Sequence, residues 1–183
     1  MGIAIVVEGA KGTGKSTLIH DVKNYIYPDM FIRSFDSKIF LDVNLLMSDA
    51  TDNKLYGYDR GFLSNQIYDW LRNVDITDPN ATMPATIKAH HDLMMKKTDL
   101  QVILYASDHQ MLFDAINNRH KTTGKGATAE ELKLIRMSNM LFKLYGQILK
   151  ALYPDKILLY DICVERPNLD DIKNLLLGQG DNA

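Results

Sequence analysis

A glycine-rich segment near the start of the chain has the residue types and spacing of a phosphate-binding loop. Residues Gly9–Ser16 read Gly-Ala-Lys-Gly-Thr-Gly-Lys-Ser and fit the pattern G-x-x-x-x-G-K-[ST]. In such loops glycines let successive N–H groups face phosphate oxygens, the lysine reaches the β- and γ-phosphates, and the final hydroxyl ligates Mg²⁺. We therefore expect ATP and Mg²⁺ to bind here, with the nucleotide held by Gly9, Lys11, Gly12, Thr13, Gly14, Lys15, Ser16 and Thr17.

The surroundings of this motif are those that a phosphate-binding loop requires. The apolar run Ile3–Val7 precedes it, as expected for a strand covered on both faces. A helix is predicted from about Lys15, with an apolar face formed by Leu18, Val22 and Ile26. Its N-terminal end adds a positive dipole to the loop. A chance match of four such positions arises in roughly one chain in a hundred of this length, so we favour the functional interpretation.

A second pair of charged residues, Asp59 and Arg60, follows the short predicted strand Leu55–Tyr58. Ligands of open α/β sheets bind beyond the carboxyl ends of the strands. A carboxylate at this position can hold Mg²⁺ or orient an attacking oxygen, and a guanidinium can bind a phosphate bidentately. Taken alone, the two residues would favour a surface ion pair. Their position favours a site in which Asp59 and Ser16 ligate the metal.

Strands and helices alternate along the chain, which is the pattern of an α/β protein with a mainly parallel sheet. The predicted strands are Ile3–Val7, Met30–Phe35, Leu55–Tyr58, Leu100–Tyr105 and Ile157–Tyr160. Helices are predicted to flank this five-stranded sheet, starting near Lys15, Ser107 and Thr128 and covering Gly61–Asn73, Pro84–Lys97 and Leu169–Leu177. A polar loop is expected at Asn73–Met83. No linker divides the chain, so residues 1–183 are predicted to form one domain.

Two predicted helix starts have the spacing of a capping box, namely Ser107–Gln110 and Thr128–Glu131. The basic segment Arg119–Ala127 lies between them, contains two glycines, and is predicted to break the helix and form a short lid. The long helix after Thr128 carries apolar residues at spacings of three and four, namely Met137, Leu141, Leu144, Ile148 and Leu152.

Composition and charge limit the classes of function. The chain has 183 residues and a formal net charge of -2, which disfavours a broad nucleic-acid-binding surface but allows a small anionic ligand. No apolar segment is long enough for a signal peptide or a membrane span. The single cysteine, Cys163, fits a reducing cytoplasm and is predicted to pack at a strand edge. Three acidic residues are predicted to be solvated loop charges, namely Asp49, Asp52 and Asp75. A homodimer is compatible with these features, but the sequence does not determine the oligomeric state.

Several of these motifs together resemble the thymidylate kinase and deoxynucleoside kinase superfamily of P-loop kinases. The resemblance rests on Glu8-Gly9 and Gly14-Lys15-Ser16-Thr17, on Asp59-Arg60, and on the helix with Ser64 and Tyr68. Asp99-Leu100, Leu104-Tyr105 and the basic stretch at Arg119 also follow the strand–helix–lid order of that superfamily. The resemblance covers roughly residues 3–160 and implies a P-loop kinase fold.

The resemblance also implies roles for individual residues. Lys15, Asp59, Arg60 and Arg119 would be catalytic, with Arg60 on the acceptor's phosphate or the transferring group and Arg119 in the lid. Tyr68 would face the acceptor, and Phe62 and Tyr68 are candidates for stacking on its base. The chain departs from the usual pattern at Lys11, which replaces an acidic residue, at Ala115, which replaces a lid arginine, and at Asp69, which replaces a glutamine.

Three functions follow, in order of preference. The first is a deoxynucleoside monophosphate kinase, with thymidylate as the favoured acceptor. The second is a deoxynucleoside kinase acting on a 5′-hydroxyl, which needs a general base more than an ionised phosphate does. Asp36 lies where nucleoside kinases place that base, although a loop-capping role is equally compatible. The third is a nucleotide-binding switch or ATPase module that works through a protein partner, but no Asn-Lys-x-Asp guanine-binding motif is present.

Overall fold

The structure, a computed structural model, describes residues 4–35, 49, 54–73, 95–96, 98–123 and 127–178. The strands in these ranges are β1 (Ala4–Gly9), β2 (Phe31–Ser34), β3 (Tyr56–Asp59), β4 (Leu100–Tyr105) and β5 (Ile157–Asp161). The helices are α1 (Lys15–Tyr25), α2 (Phe62–Asn73), α3 (His109–Thr123), α4 (Ala129–Leu152) and α5 (Leu169–Gly178). The predicted loop Asn73–Met83 and helix Pro84–Lys97 lie almost entirely outside the described residues.

The five strands form one parallel sheet in the order β2-β3-β1-β4-β5, which confirms the predicted α/β class. The central strand β1 pairs with β3 on one side, where Val7 is opposite Asp59, and with β4 on the other, where Gly9 is opposite Leu104. The chain moves outward from β1 in both directions, so a crevice opens beyond the carboxyl ends of these strands. The phosphate-loop motif and Asp59 therefore share one edge of the sheet.

The apolar run of β1 is buried on both faces, as the sequence predicts. Ile5 and Val7 pack with Leu18, Ile19 and Val22 of α1 in one part of the core. The alternate residues of β1 face the side of the sheet that α2 and α4 cover. This two-sided burial is typical of parallel sheets, whose crossover helices cover both faces.

The long helix is confirmed as α4, but the apolar residues at helical spacing do not coincide with its buried face. Leu144, Ile148 and Leu152 are 50%, 45% and 51% exposed, and the buried face consists of Ile135, Ser138, Asn139, Phe142, Gly146 and Leu149. A Cβ added at Gly146 would lie 2.6 Å from Leu159 Cδ1, so the helix approaches the sheet closely along this face. Apolar residues occur all round α4, and their periodicity alone does not indicate which side meets the sheet.

The ends of α3 also differ from prediction. The Gln110 N–H donates to Asp108 Oδ1 at 2.8 Å, and the Gln110 side chain bonds Asp114, so Asp108 rather than Ser107 caps the helix. The helix continues to Thr123, which places Arg119 on a helix and not in a helix-breaking segment. At the start of α4 the Glu131 N–H donates to Thr128 Oγ1 at 3.1 Å, which confirms Thr128 as the cap.

Two further side chains lie elsewhere than predicted. Cys163 is exposed in a turn after β5, and its N–H donates to Asp161 Oδ1 at 3.1 Å. Asp49 is buried and not solvated, because its carboxylate accepts hydrogen bonds from the Arg33 guanidinium at 2.6 and 2.7 Å and from the Tyr58 hydroxyl at 2.7 Å. In the described part of the chain, no helix has the length and apolar character needed to cross a bilayer.

Candidate functional site

The loop between β1 and α1 is a turn that only glycine permits at its first position. Gly9 has φ +149°, and a Cβ there would lie 2.5 Å from Leu104 O and 2.8 Å from Thr13 Oγ1. Gly14 is the N-cap of α1 in the left-handed conformation, φ 86°, and has no side chain that could bond the first N–H groups of that helix. These N–H groups therefore remain available to an anion, as a phosphate-binding loop requires.

Hydrogen bonds inside the loop hold Lys15 close to the backbone. The Lys15 ammonium donates to Ala10 O at 2.7 Å, and the Thr13 hydroxyl donates to the same oxygen at 2.9 Å. Lys15 is 6% exposed although it carries an ammonium group. The structure thus places the predicted catalytic lysine in the centre of the loop.

The charge of Lys15 is poorly stabilised in this environment. Burial, together with repulsion from Arg60 and Arg119, lowers its pKa to about 7, against attraction by Asp59 and Glu8. A bound polyphosphate would supply the missing negative charge. The electrostatics of the loop are therefore those of an anion site.

Ser16 and Asp59 meet at the edge of the sheet. The Ser16 hydroxyl donates to Asp59 Oδ2 at 2.5 Å, while Asp59 Oδ1 is buried and has no hydrogen-bond partner among the described residues. A buried, unpaired carboxylate oxygen is costly unless another group completes its bonding. Hard oxygen ligands of this type suit Mg²⁺, which takes one or two protein ligands together with substrate phosphates. The two residues predicted as metal ligands therefore fit such an ion.

Arg60 has an unusual backbone conformation next to this pair. Its φ is 76°, which non-glycine residues rarely adopt, and its N–H donates to Val7 O at 2.9 Å. Its guanidinium carbon lies 5.6 Å from the centroid of the Tyr68 ring. Asp59 bonds Ser16 and not Arg60, so the two neighbours serve different parts of the crevice. Arg60 is near enough to Lys15 to depress the pKa of that lysine.

Charged residues of α3 and of the start of α4 lie near the phosphate loop. Arg119 is exposed on α3 and contributes to the lowered pKa of Lys15. Lys11 forms an ion pair with Glu131 at the start of α4, and His120 Nε2 lies 3.9 Å from the same Glu131 oxygen. The Lys11 ammonium holds the pKa of Glu131 below its usual range. Lys11 thus joins the loop to the start of α4.

The two aromatic residues predicted to contact the acceptor, Phe62 and Tyr68, both pack against other aromatic side chains. Phe62 is half-buried and packs against the cluster that contains Tyr56 and Tyr58. Tyr68 is 6% exposed and packs edge-on against Phe142, with ring centroids 6.3 Å apart. Their contact with an acceptor stays a prediction. Asp36 lies outside the described residues.

A cavity of about 470 Å³ adjoins the loop and was not anticipated from the sequence. Its lining combines loop residues with α1, the carboxyl ends of β4 and β5, and the start of α5, namely Gly12, Thr13, Gly14, Thr17, Leu18, Asp21, Leu104, Met111, Ile162, Arg166, Pro167 and Leu169. Its size falls in the range of small-molecule pockets. The lining residues come from segments far apart in sequence, and only the position of Arg166-Pro167 soon after a predicted strand could have indicated it.

No protein-family model matches the sequence, and no curated protein matches it either. Solved structures do match over nearly the whole chain. Among them is the deoxyadenosine kinase of M. mycoides with bound dCTP, at 16% identity and a TM-score of 0.51, covering 99% of this chain and 100% of that one.

Two further structures of the same enzyme also match this chain. With the products dCMP and a flexible dCDP bound, identity is 13% and the TM-score 0.52, covering 98% of this chain and 99% of that one. With bound dATP, identity is 15% and the TM-score 0.52, covering 98% and 100%. The chain therefore has the α/β fold of the deoxyadenosine kinases, a P-loop nucleoside kinase fold.

Proposed function

We propose that the protein is an ATP-dependent phosphotransferase that passes the γ-phosphoryl group to a deoxynucleoside. The observation that carries this proposal is the loop Gly9–Ser16, in which a buried lysine with a lowered pKa precedes Ser16, and the Ser16 hydroxyl binds the Asp59 carboxylate, whose other oxygen has no partner among the described residues. A polyanion suits the lysine and the N–H groups of the loop, and a cation suits the Asp59 carboxylate. ATP with Mg²⁺ supplies both.

In this proposal, each part of the donor nucleotide binds to a different part of the site. The phosphates lie along the loop, where the N–H groups of α1 and the Lys15 ammonium face them. The base and ribose occupy the adjoining cavity of about 470 Å³, since Thr17 and Gly14 line both the loop and this cavity. Ser16 and Asp59 hold Mg²⁺, which neutralises charge on the phosphates when bound.

Cationic side chains surround the position of the transferred group. Phosphoryl transfer asks little covalent work of a protein and depends on positioning and on stabilising charge. Lys15 and Arg60 lie at the sheet edge, and Arg119 approaches from α3. Arginines that offset transition-state charge contribute roughly 10³–10⁵ in rate in well-studied systems. Water competes with the acceptor for the transferred group, so the site must exclude water during transfer.

The choice of acceptor rests on the similar structures. They are deoxyadenosine kinases with bound deoxynucleotides, which supports a deoxynucleoside acceptor over the monophosphate ranked first from the sequence. The cationic crevice around Arg60 supports the alternative, a deoxynucleoside monophosphate kinase, since it would also suit a phosphate on the acceptor. The two acceptors differ only in that phosphate.

A coupled assay of ADP release separates these reactions. The enzyme is supplied with ATP and Mg²⁺ and with each deoxynucleoside or each monophosphate in turn. Turnover with deoxynucleosides supports the proposal, and turnover with monophosphates alone supports the alternative. Lys15→Ala serves as the control, because it should abolish transfer while circular dichroism shows an intact fold.

A further inference from the structure

Glu8 is fully buried directly before the phosphate loop, and its carboxylate binds the first turn of α2. Glu8 Oε1 accepts a hydrogen bond from the Leu63 N–H at 3.0 Å, and Oε2 accepts from the Ser64 N–H at 3.2 Å and from the Ser64 hydroxyl. Helix N-termini carry N–H groups without partners inside the helix. A residue 55 positions away from Leu63 satisfies them here.

The helix has no cap of its own that could replace Glu8. Its first turn contains no acidic residue, and the position before it is Gly61. A Cβ at Gly61 would lie 2.8 Å from Glu8 Oε1 and 2.5 Å from Val6 Cγ1. A capping side chain at residue 61 is therefore excluded, because the start of α2 lies directly against β1.

This close contact determines the position of Arg60. The residue lies between the end of β3 and Gly61, and its N–H donates to Val7 O at 2.9 Å. The residues Val7, Glu8 and Gly9 are consecutive in β1, so one short segment holds the Arg60 backbone, caps α2 and begins the phosphate loop. The left-handed conformation of Arg60, φ 76°, persists only when its surroundings enforce it.

Capping a helix with a buried carboxylate costs free energy, because the charged group is removed from water. Burial raises the pKa of Glu8, and the hydrogen bonds from α2 and the charge of Lys15 offset this in part. Such costs are typical of functional sites and not of structural caps, for which an exposed Ser, Thr or Asp suffices.

We propose that Glu8 is a positioning residue for phosphoryl transfer, which holds the first turn of α2 so that Arg60 directs its guanidinium towards the phosphate loop. This inference rests on the phosphotransferase function proposed above. Glu8 itself touches neither donor nor acceptor. Its effect passes through the amides of Leu63 and Ser64 to the backbone of Arg60.

Glu8→Gln tests the proposal, because it keeps the size of the side chain but replaces one acceptor oxygen with an NH₂ group that cannot accept. A misplaced catalytic group costs on the order of 10²-fold in rate. We expect kcat to fall by about ten- to a hundredfold while KM for ATP changes less than about threefold. Ser64→Ala removes a single donor and should cause a smaller loss of kcat. Equal losses in kcat and in ATP affinity would overturn the proposal.

Amide hydrogen exchange in the nucleotide-free protein provides a readout that does not depend on turnover. In Glu8→Gln, exchange at Leu63, Ser64 and the Arg60 N–H should be at least about tenfold faster, with the amides of α1 unchanged. Unchanged exchange at these three amides overturns the proposal. If the wild type transfers phosphate to no acceptor, the function proposed above fails, and the exchange rates still decide whether Glu8 holds Arg60.

Leu176→Ala controls for lost stability, since Leu176 is 3% exposed in α5 and far along that helix from the cavity. It should lower Tm while kcat and exchange at residues 60, 63 and 64 stay near wild type. A loss of kcat as large as that of Glu8→Gln would show that stability alone is responsible and would overturn the positioning role.

Discussion

Ser16 and Asp59 lie 43 residues apart in the chain, and the Ser16 hydroxyl donates a 2.5 Å hydrogen bond to one oxygen of the Asp59 carboxylate. The other oxygen is buried without a partner among the described residues. One residue comes from the first turn of α1 and the other from the end of β3, so the pair joins the phosphate loop to the carboxyl end of β3.

Removing either member of this pair should weaken the response to Mg²⁺. In Ser16→Ala and Asp59→Asn, we expect kcat/KM to fall by at least about a hundredfold at low Mg²⁺, because the ion loses a protein ligand. A Mg²⁺ titration of the transfer rate measures this. The losses should be far from additive in the double variant, since the two residues act on one ion. Fully additive losses would indicate separate roles.

Binding of ATP should be coupled to proton uptake at Lys15. The pKa of this lysine is about 7 in the folded protein and 10.5 in its unperturbed state, so between these pH values the folded state binds fewer protons. The contribution of Lys15 to stability therefore rises with pH across this window and is least favourable below pH 7. A bound triphosphate raises the pKa again, and at pH 8 about one proton should be taken up per ATP.

Calorimetric titration with ATP and Mg²⁺ at pH 8, in buffers of different ionisation enthalpy, measures this uptake. Lys15→Arg is the matched control, because arginine stays charged and should abolish the buffer dependence. Binding heats of the wild type that do not vary with the buffer would exclude a deprotonated Lys15.

The ion pair between Lys11 and Glu131 should contribute little to stability. Its side chains are 38% and 26% exposed, and exposed pairs are typically worth at most about 1 kcal/mol. A double-mutant cycle with Lys11→Ala and Glu131→Gln, measured by urea unfolding, gives the coupling energy. This coupling energy should decrease at about 1 M salt, because the charges are screened there. A coupling above about 2 kcal/mol would contradict this expectation.

Arg119→Ala should lower kcat much more than ATP affinity. Arg119 is exposed on α3, and its charge contributes to the lowered pKa of the buried Lys15, so it lies close enough to the phosphate loop to respond to developing negative charge there. A loss of about 10³-fold in kcat matches the lower end for such arginines. Steady-state kinetics and ATP titration separate the two effects. Lys150→Ala, at the far end of α4, controls for the loss of one positive charge.

The sequence predicts the sheet well because its central strands β1 and β4 are short apolar runs buried on both faces. The five predicted strands lie within one or two residues of the observed ones, as Leu100–Tyr105 illustrates. Helix faces are harder to predict. In α4 the sequence offers apolar residues on several sides, and the contact of Gly146 with Leu159 decides which side is buried.

In the candidate site, too, some residues can be predicted from the sequence and others cannot. The phosphate loop and Asp59 can be predicted because their chemistry is contiguous in sequence or directly follows a strand. The roles of Glu8 and Asp49 could not be predicted, because each carboxylate accepts a hydrogen bond from a residue of another element. The partner is Ser64 for Glu8 and Tyr58 for Asp49. Arg166 in the cavity wall is a similar case, because only the fold brings it near the loop.

The most direct test of the central claim is an ADP-release assay of the wild type with ATP and Mg²⁺ across a panel of deoxynucleosides and their monophosphates. The account predicts that ADP forms rapidly only when a suitable acceptor is present and that Lys15→Ala abolishes this. ATP hydrolysis at one rate with every acceptor and with none would contradict it, and would favour a nucleotide-binding module that acts through another partner.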